Sequence, residues 1–507
     1  MKNYQIALGG LLVVLFDWLF WQEKLGLNLL VFNTLLLVAT VLNYKHSLNR
    51  LRTIAVLFCT LLTATMVVWH GSFVAKLACL VSLALAVVLT HQPHLKAIHY
   101  TLAYVLVAVE NTLTGALDGL FAMPKQWQAS HPRLRIVWRY TKIATVPIGV
   151  FLVFFLIFKV ANPIFSQLID IGFEKMLRWT SRLWTHIEPL HILFVLVGAF
   201  GIFTCLYNWK MAGFWGLNED KEEEVIIRKR SLEPALSIAY PIKMLALRNE
   251  YRIGIMLMAM VNVLLCILNM IDVQYIWLGD VTYLRDSNLA SQLHEGTYML
   301  IFSIVLSISI MLYLFRRNLN FYPNHDWLKY LAYVWIIQNA ILVLSVAIRA
   351  YYYVIFRGLA YKRIGVLIFL GLTLVGLFTL WIKIQDKRTS YFLLKTNGWA
   401  VYLMLVFMAC IDWDMEIVRY NIAHYAQQPA KYKEVDMEFM LSRADKTLRI
   451  LQKNKAKLPL TDQDNETLAN RIKYFCKTQE KYTFWSWTYE ESETLLYLKS
   501  IKITSKH

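Results

Sequence analysis

Apolar residues gather along the chain into runs of about 14 to 20, most of them the length a helix rising 1.5 Å per residue needs to cross a hydrocarbon core of about 30 Å. Eleven such runs stand out, at 5–21, 26–43, 54–70, 73–90, 143–161, 190–208, 253–272, 296–315, 330–348, 365–383 and 398–411. With no water in the bilayer to satisfy the backbone, each run has to be a helix. The predicted fold is therefore all-α: a polytopic transmembrane bundle of about 11 spans. The run Arg252–Leu278 departs most from generic membrane sequence. At 100° per residue its Asn262, Asn269 and Asp272 fall within roughly 80° on one side of the helix. A polar stripe avoids lipid, so it is expected to face neighbouring helices. Gln338 and Asn339 lie inside 330–348 with Arg349 at its end, and an Asp272–Arg349 pair is geometrically possible. These six residues form the candidate intramembrane polar cluster.

The segment 96–122 is only moderately apolar and is interrupted by Glu110, Asn111 and Asp118, with Glu110 and Asp118 on one helical face. Basic loops favour the cytoplasm, and 123–142 carries Lys125, Arg133, Arg135, Arg139 and Lys142 with no acid. With a cytoplasmic N-terminus that loop falls inside only if 96–122 does not cross, so a re-entrant or interfacial helix is predicted there. The basic stretch Arg349, Arg357, Lys362 and Arg363 then violates the rule by falling outside. Residues 162–189 mix Ile164, Leu168, Ile171, Met176 and Leu183 with Lys175, Arg178 and Arg182, which predicts an amphipathic surface helix. Four regions follow. Residues 1–122 are membrane hairpins plus the re-entrant or interfacial segment; 123–252 are a middle membrane region with the amphipathic 162–189 and a charged loop at 209–252; 253–421 are a second membrane bundle; 422–507 are a soluble helical tail.

In the tail apolar residues return at helical spacing among charges. EVDMEFMLSRADKTLRILQKNK is predicted as one helix burying Val435, Phe439, Leu448 and Leu451, and DQDNETLANRIKYFCKTQEKY as another capped by Asp462 or Asp464. The aromatic group Phe484, Trp485 and Trp487 leads into a third, ESETLLYLKS. The charge run NEDKEEEVIIRKR at 218–230 is expected to be a solvated loop.

Composition narrows the classes. The formal charge of +18 would suggest a nucleic-acid partner in a soluble chain, but from Asp412 onward the charges nearly balance, so the excess sits in the loops between spans. Nucleic acid is excluded as a partner and the lipid bilayer is the expected one. Five of the six cysteines lie in apolar runs, and there is no CxxC pair, Gly-rich phosphate loop, GxSxG or HExxH. LHEGTY has Tyr298 where a second zinc histidine would stand. His91, His94 and His99 do not share a helical face. No catalytic residue, cofactor or metal is assigned. A second polar group is expected at the outer mouth of the bundle: Glu295, Tyr298, Asp412, Asp414 and Arg419. There Asp412, Asp414 and Glu416 are either paired carboxylates or a hard-cation site.

The stretches LNMIDVQYIW (268–277), LHEGTYML (293–300), YVWIIQNAILVLSVAIR (333–349), IDWDMEIVRYNI (411–422), SWTY (486–489) and VANPIF (160–165) resemble the bacterial polytopic membrane proteins of domain of unknown function 4173. The likeness covers roughly Val160 to Leu498. It departs at 357–360, where the family's Tyr-Gly-Leu-Thr is Arg357, Gly358, Leu359 and Ala360 here, so no hydroxyl stands at that place. The resemblance implies a membrane class and no chemistry.

Three functions are compatible with these features. The first is a non-enzymatic envelope component in the bacterial inner membrane, with its N-terminus cytoplasmic and its tail periplasmic or extracellular, presented to an unknown protein partner. The second is a transporter or lipid-translocating protein using the polar residues of 253–349. The third is an intramembrane transferase with Asp272 or Glu295 as base.

Overall fold

The computed structural model describes residues 3–120, 167, 169, 171, 189–207, 219, 222–225, 240–278, 301–312, 314–315, 326–427 and 436–504. The elements among them are helices: α1 (Asn3–Phe20), α2 (Leu27–Asn43), α3 (Leu51–His70), α4 (Phe73–His91), α5 (Ile98–Leu120), α6 (Pro189–Leu206), α7 (Tyr240–Asp272), α8 (Ile301–Leu312), α9 (Asp326–Arg357), α10 (Tyr361–Gln385), α11 (Ser390–Ala409), α12 (Trp413–Gln427), α13 (Met437–Leu441), α14 (Leu448–Lys453), α15 (Asp462–Gln479) and α16 (Tyr489–Thr504). The fold is all-α, as the periodicity predicts. Among the described residues six helices are long and apolar enough to cross a membrane: α3, α4, α7 with the π turn Val273–Trp277 that continues it, α9, α10 and α11. The shorter apolar helices α1, α2, α6 and α8 lie at four more of the predicted runs. The run 143–161, the basic loop 123–142 and nearly all of 162–189 lie outside the described residues.

The side chains are arranged for lipid. On α7 the outward residues Met256, Met260, Val263, Leu264 and Met270 are 60–70% exposed, whereas Asn262, Asn269 and Asp272 are buried. Water would favour the reverse, since exposed apolar surface costs roughly 25 cal/mol per Å² in water and nothing in hydrocarbon.

The chain packs as two compact units: Met1–Leu57, Leu83–Pro93 and Leu102–Leu217 in one, and Phe58–Ser82, His94–Thr101 and Asn218–His507 in the other. In the first, α1 and α6 run antiparallel, with Phe203 over Gly9 and Phe16 over Gly198; a Cβ at either glycine would strike the ring. Phe16 also stacks on Phe194 at 4.8 Å between centroids. His191 meets Asp17 at 2.6 Å with Trp21 stacked on its ring. The buried Asn28 closes the turn between α1 and α2, donating to Leu19 O and Lys24 O and accepting from Gly26 N at 2.8–2.9 Å.

Two apolar cores are seen among the described residues of the second unit. One joins α7–α10 through Met258, Leu265, Ile304, Leu328, Trp335, Leu342 and Leu377, with Leu393 of α11 at its edge. The other belongs to the tail: Met440, Leu448, Leu451, Leu468, Phe475 and Leu498 pack on Val418 and Ile422 of α12. The tail is therefore a module whose core includes the helix before it. The single helix predicted from 434 to 455 is broken into α13, a 3₁₀ turn at Asp445–Thr447 and α14. The break is tertiary in origin: Arg471 of α15 donates to Leu441 O and to Arg443 O and pairs with Asp445, taking up carbonyls released where α13 ends. The cap of α15 is Thr461, with Asp464 reciprocating in a capping box. Segment 96–122, expected to be a re-entrant or interfacial helix, contains one unbroken 23-residue helix, α5, which is not among the six candidate spans.

Candidate functional site

The buried side of α7 follows alternating steps of four and three: Met258, Asn262, Leu265, Asn269, Asp272 and Ile276. Leu328, Ala332, Trp335, Asn339, Leu342 and Val346 do the same on α9. This spacing suits two helices crossing at a shallow left-handed angle. Their register is fixed by polar bonds. Asn262 Nδ2 donates to Leu331 O at 3.0 Å, and Asn269 Nδ2 donates to Gln338 O at 3.1 Å. Seven residues on one helix match seven on the other, so the two run parallel. A helix carbonyl can only accept, so each amide must turn its nitrogen to the backbone and its oxygen away. Asn262 Oδ1 and Asn269 Oδ1 are accordingly buried without a partner, and so is Gln338 Oε1. Asn339 bonds back to Trp335 O at 2.8 Å within α9, leaving its own Oδ1 unpaired.

Beyond the asparagines the seam is closed by charge. Arg349 reaches back along α9 to pair with Asp272, whose residue is 1% exposed. Trp277, at the end of the π turn, donates to Ser345 Oγ at 3.0 Å. The pair is single-pronged: Asp272 Oδ2 and Arg349 Nε have no partner. Arg349 is thus part of the bundle interior, neutralised by a carboxylate, and weighs little in the basic stretch that violated the charge rule. Arg363, from the same stretch, donates to Gly358 O and lies 4.4 Å over Tyr353.

That stretch turns at Gly358, whose φ of +77° suits glycine. Asn421 of α12 clasps the turn, accepting from Leu359 N at 2.6 Å and donating to Leu359 O at 3.0 Å. Ala360 is the N-cap of α10 and has no side-chain cap. Ala360 has no hydroxyl or carboxylate to offer the first turn, so the cap is left unmade.

The outer-mouth set divides. Glu295 and Tyr298 lie outside the described residues. Asp412 and Asp414 converge on Lys446, at 2.7 and 3.9 Å from Nζ, so the cation between these carboxylates is the protein's own. Lys446 is 3% exposed and also donates to His70 O at 2.8 Å. His70 Nε2 lies 3.1 Å from Ala409 O, and Thr494 Oγ1 donates to Lys446 O at 2.9 Å. The node ties the ends of α3 and α11 to the tail module. Arg419 stands apart, paired with Glu416 on the surface. Among the described residues no group of three His, Cys, Asp or Glu is placed to hold a metal.

One assembly has no counterpart in the sequence reading. Of the 218–230 run, expected to be a solvated loop, Glu222 and Glu223 are exposed, but Glu219 is buried and latched. Glu219, 7% exposed, accepts from Lys96 N and Ala97 N at 2.7 and 2.8 Å, at the start of α5, and from Tyr391 OH at 2.5 Å. Glu222 accepts from Tyr100 OH at 2.9 Å. Glu224 pairs with Lys395, and Thr389 bonds both Glu224 O and Glu223 O. The hydrogen bond from Lys395 holds the Glu224 carboxyl below the ordinary carboxylate range, against a smaller opposing effect of burial. The signal available in the sequence was an acidic cluster facing basic neighbours across more than a hundred residues, which periodicity cannot detect.

A helical bundle with apolar residues outward and amides sealed within defines an integral membrane protein with transmembrane helices. The chain belongs to the family described as a domain of unknown function, DUF4153, which it matches over residues 54–453. The matching family is this one and not 4173, to which the motif residues were likened; a membrane protein of uncharacterised activity is what stands. No curated protein and no solved structure matches the chain.

Proposed function

We propose that this protein is a non-enzymatic component of the bacterial inner membrane whose bundle holds the C-terminal helical module in place for a protein partner. In this reading the N-terminus is cytoplasmic and the module lies on the opposite side. The Lys446 node carries it: a buried cation clamped by Asp412, Asp414 and the His70 carbonyl fixes the module on helix ends instead of leaving it on a tether. Burying charge is costly, and a fixed orientation is what such a pair supplies. The amides of α7 and α9 serve the same rigid support by fastening helix to helix. Removing residues 430–507 should abolish function, read against a deletion of the whole gene, while the remaining chain still inserts. Wild-type behaviour of the truncated protein would refute the proposal.

A second reading, transport along the α7–α9 seam, is favoured by the buried unpaired oxygens of Asn262, Asn269, Asp272 and Gln338, which present acceptors to a hydrogen-bond donor. It predicts that Asn269→Ala and Gln338→Ala abolish uptake or efflux at unchanged protein levels; the scaffold reading predicts that solute flux is unaffected.

A further inference from the structure

The connector Gly71–Ser72 joins α3 to α4, both long and apolar enough to cross the membrane, so it marks a level at which the chain leaves the hydrocarbon. The segment Thr483–Tyr489 folds onto this connector. Thr488 Cγ2 lies 3.5 Å from where a Cβ on Gly71 would stand, and the Tyr489 ring lies 4.8 Å from that of Trp69. Residues 483–489 therefore sit at the depth of the span ends. Their composition is unusual for a module rich in charge: from Tyr482 to Tyr489 there is no charged residue, and five of the eight are aromatic. The backbone is held in a 3₁₀ turn at Phe484–Ser486, with Thr483 Oγ1 accepting from Trp485 N at 3.3 Å. This turn holds Phe484 outward, 68% exposed, with Trp487 and Tyr489 more than a third exposed. Beside them Trp69 and Phe73, at the facing ends of α3 and α4, are 52% and 78% exposed. The module has a core that could take such rings, since it buries Phe475 to 1%.

We propose that the segment 483–489, with Trp69 and Phe73, is a membrane-interface anchor whose ligand is phospholipid at the boundary between headgroups and acyl chains. Aromatic rings with a polar edge favour that boundary, and a rigid uncharged turn enters it without burying charge. The patch is continuous with the lipid-facing surface of α3 and α4, which selects the bilayer over a soluble partner as its occupant. The inference holds whichever side of the membrane the module occupies and is independent of any protein partner.

The test uses the full-length protein in phospholipid vesicles. Nitroxide is attached at Phe484→Cys and, separately, at Glu466→Cys on the exposed face of α15, with unsubstituted protein carried through the same labelling to subtract native thiols. Collision with oxygen, which partitions into lipid, is compared with collision with a water-soluble nickel chelate. The label at 484 should favour oxygen over nickel several-fold more than the label at 466. Nickel dominance at 484, as at 466, overturns the proposal by placing the turn in water. Protection from both reagents also overturns it, by showing that protein covers the patch. Both labelled proteins should unfold at the temperature of the unsubstituted one; a shift at 484 moves the label to Trp487→Cys, read by the same criteria.

Discussion

Lys446 carries a charge to a position 3% exposed, where its worth depends on Asp412, Asp414 and the His70 carbonyl being present together. Lys446→Met keeps the stem and removes the charge, leaving two largely enclosed carboxylates with no cation. The expected loss is about 3–5 kcal/mol, measurable as a lowered unfolding temperature, and Lys446→Met combined with Asp412→Asn should recover part of it. The seam asparagines are worth less, because each gives one hydrogen bond to a carbonyl already engaged in its own helix. Asn262→Ala and Asn269→Ala should each cost about 0.6–2 kcal/mol in detergent, read from the same unfolding curves. Position 360 offers the opposite sign. As Ala360 caps α10 without a side-chain bond, Ala360→Thr should stabilise the protein by about 1 kcal/mol, and an unchanged unfolding temperature would show the cap to be of no consequence. Of these residues the asparagines were legible in the sequence because they interrupt an apolar run at helical spacing, and Asp412 and Asp414 because they cluster at the end of a span. Lys446 is one lysine among many in a polar stretch, and the capping place of Ala360 became interpretable once the helix start was known.

At the scale of elements, the latch between 219–225 and the α10–α11 turn is held partly by ionised carboxylates. The Glu224 carboxyl is depressed by Lys395, so its contribution is fully present above the unfolded carboxylate range and is lost as pH falls through the lower folded value. Because Glu224 is about a third exposed, salt weakens the contribution as well. Amide exchange at Thr389, whose N–H bonds Glu224 O, should therefore accelerate beyond its intrinsic rate below about pH 4 and in high salt. Glu224→Gln should remove that pH dependence. The helices themselves were legible as apolar runs because lipid imposes a length and a polarity on each of them. Their ends were less so: α11 begins at Ser390, eight residues before the predicted run, because its first turns are polar on one side and packed on the latch. The broken helix of the tail was illegible for the same reason, since the interruption is supplied by Arg471 from another helix.

For the whole molecule, the proposed topology turns on α5. If α5 lies at the interface, Glu466→Cys in the tail should react with a membrane-impermeant maleimide added outside intact spheroplasts. Reaction only after lysis would mean that α5 crosses and that every later loop changes side. The neutralised Arg349 removes part of the charge conflict in that topology, because a cation paired with buried Asp272 is not free to bias a loop.

Hydrophobic length and the 100° periodicity of the asparagines were enough to specify an all-α membrane protein and to say that its polar stripe turns inward. Each helix meets those constraints separately, so they are written locally in the chain. Which groups the stripe meets, which lysine lies between the aspartates, and how an acidic run closes over the start of α5 were decided in the tertiary structure. Their partners are backbone carbonyls and side chains dozens to hundreds of residues away, and a carbonyl has the same sequence signature everywhere.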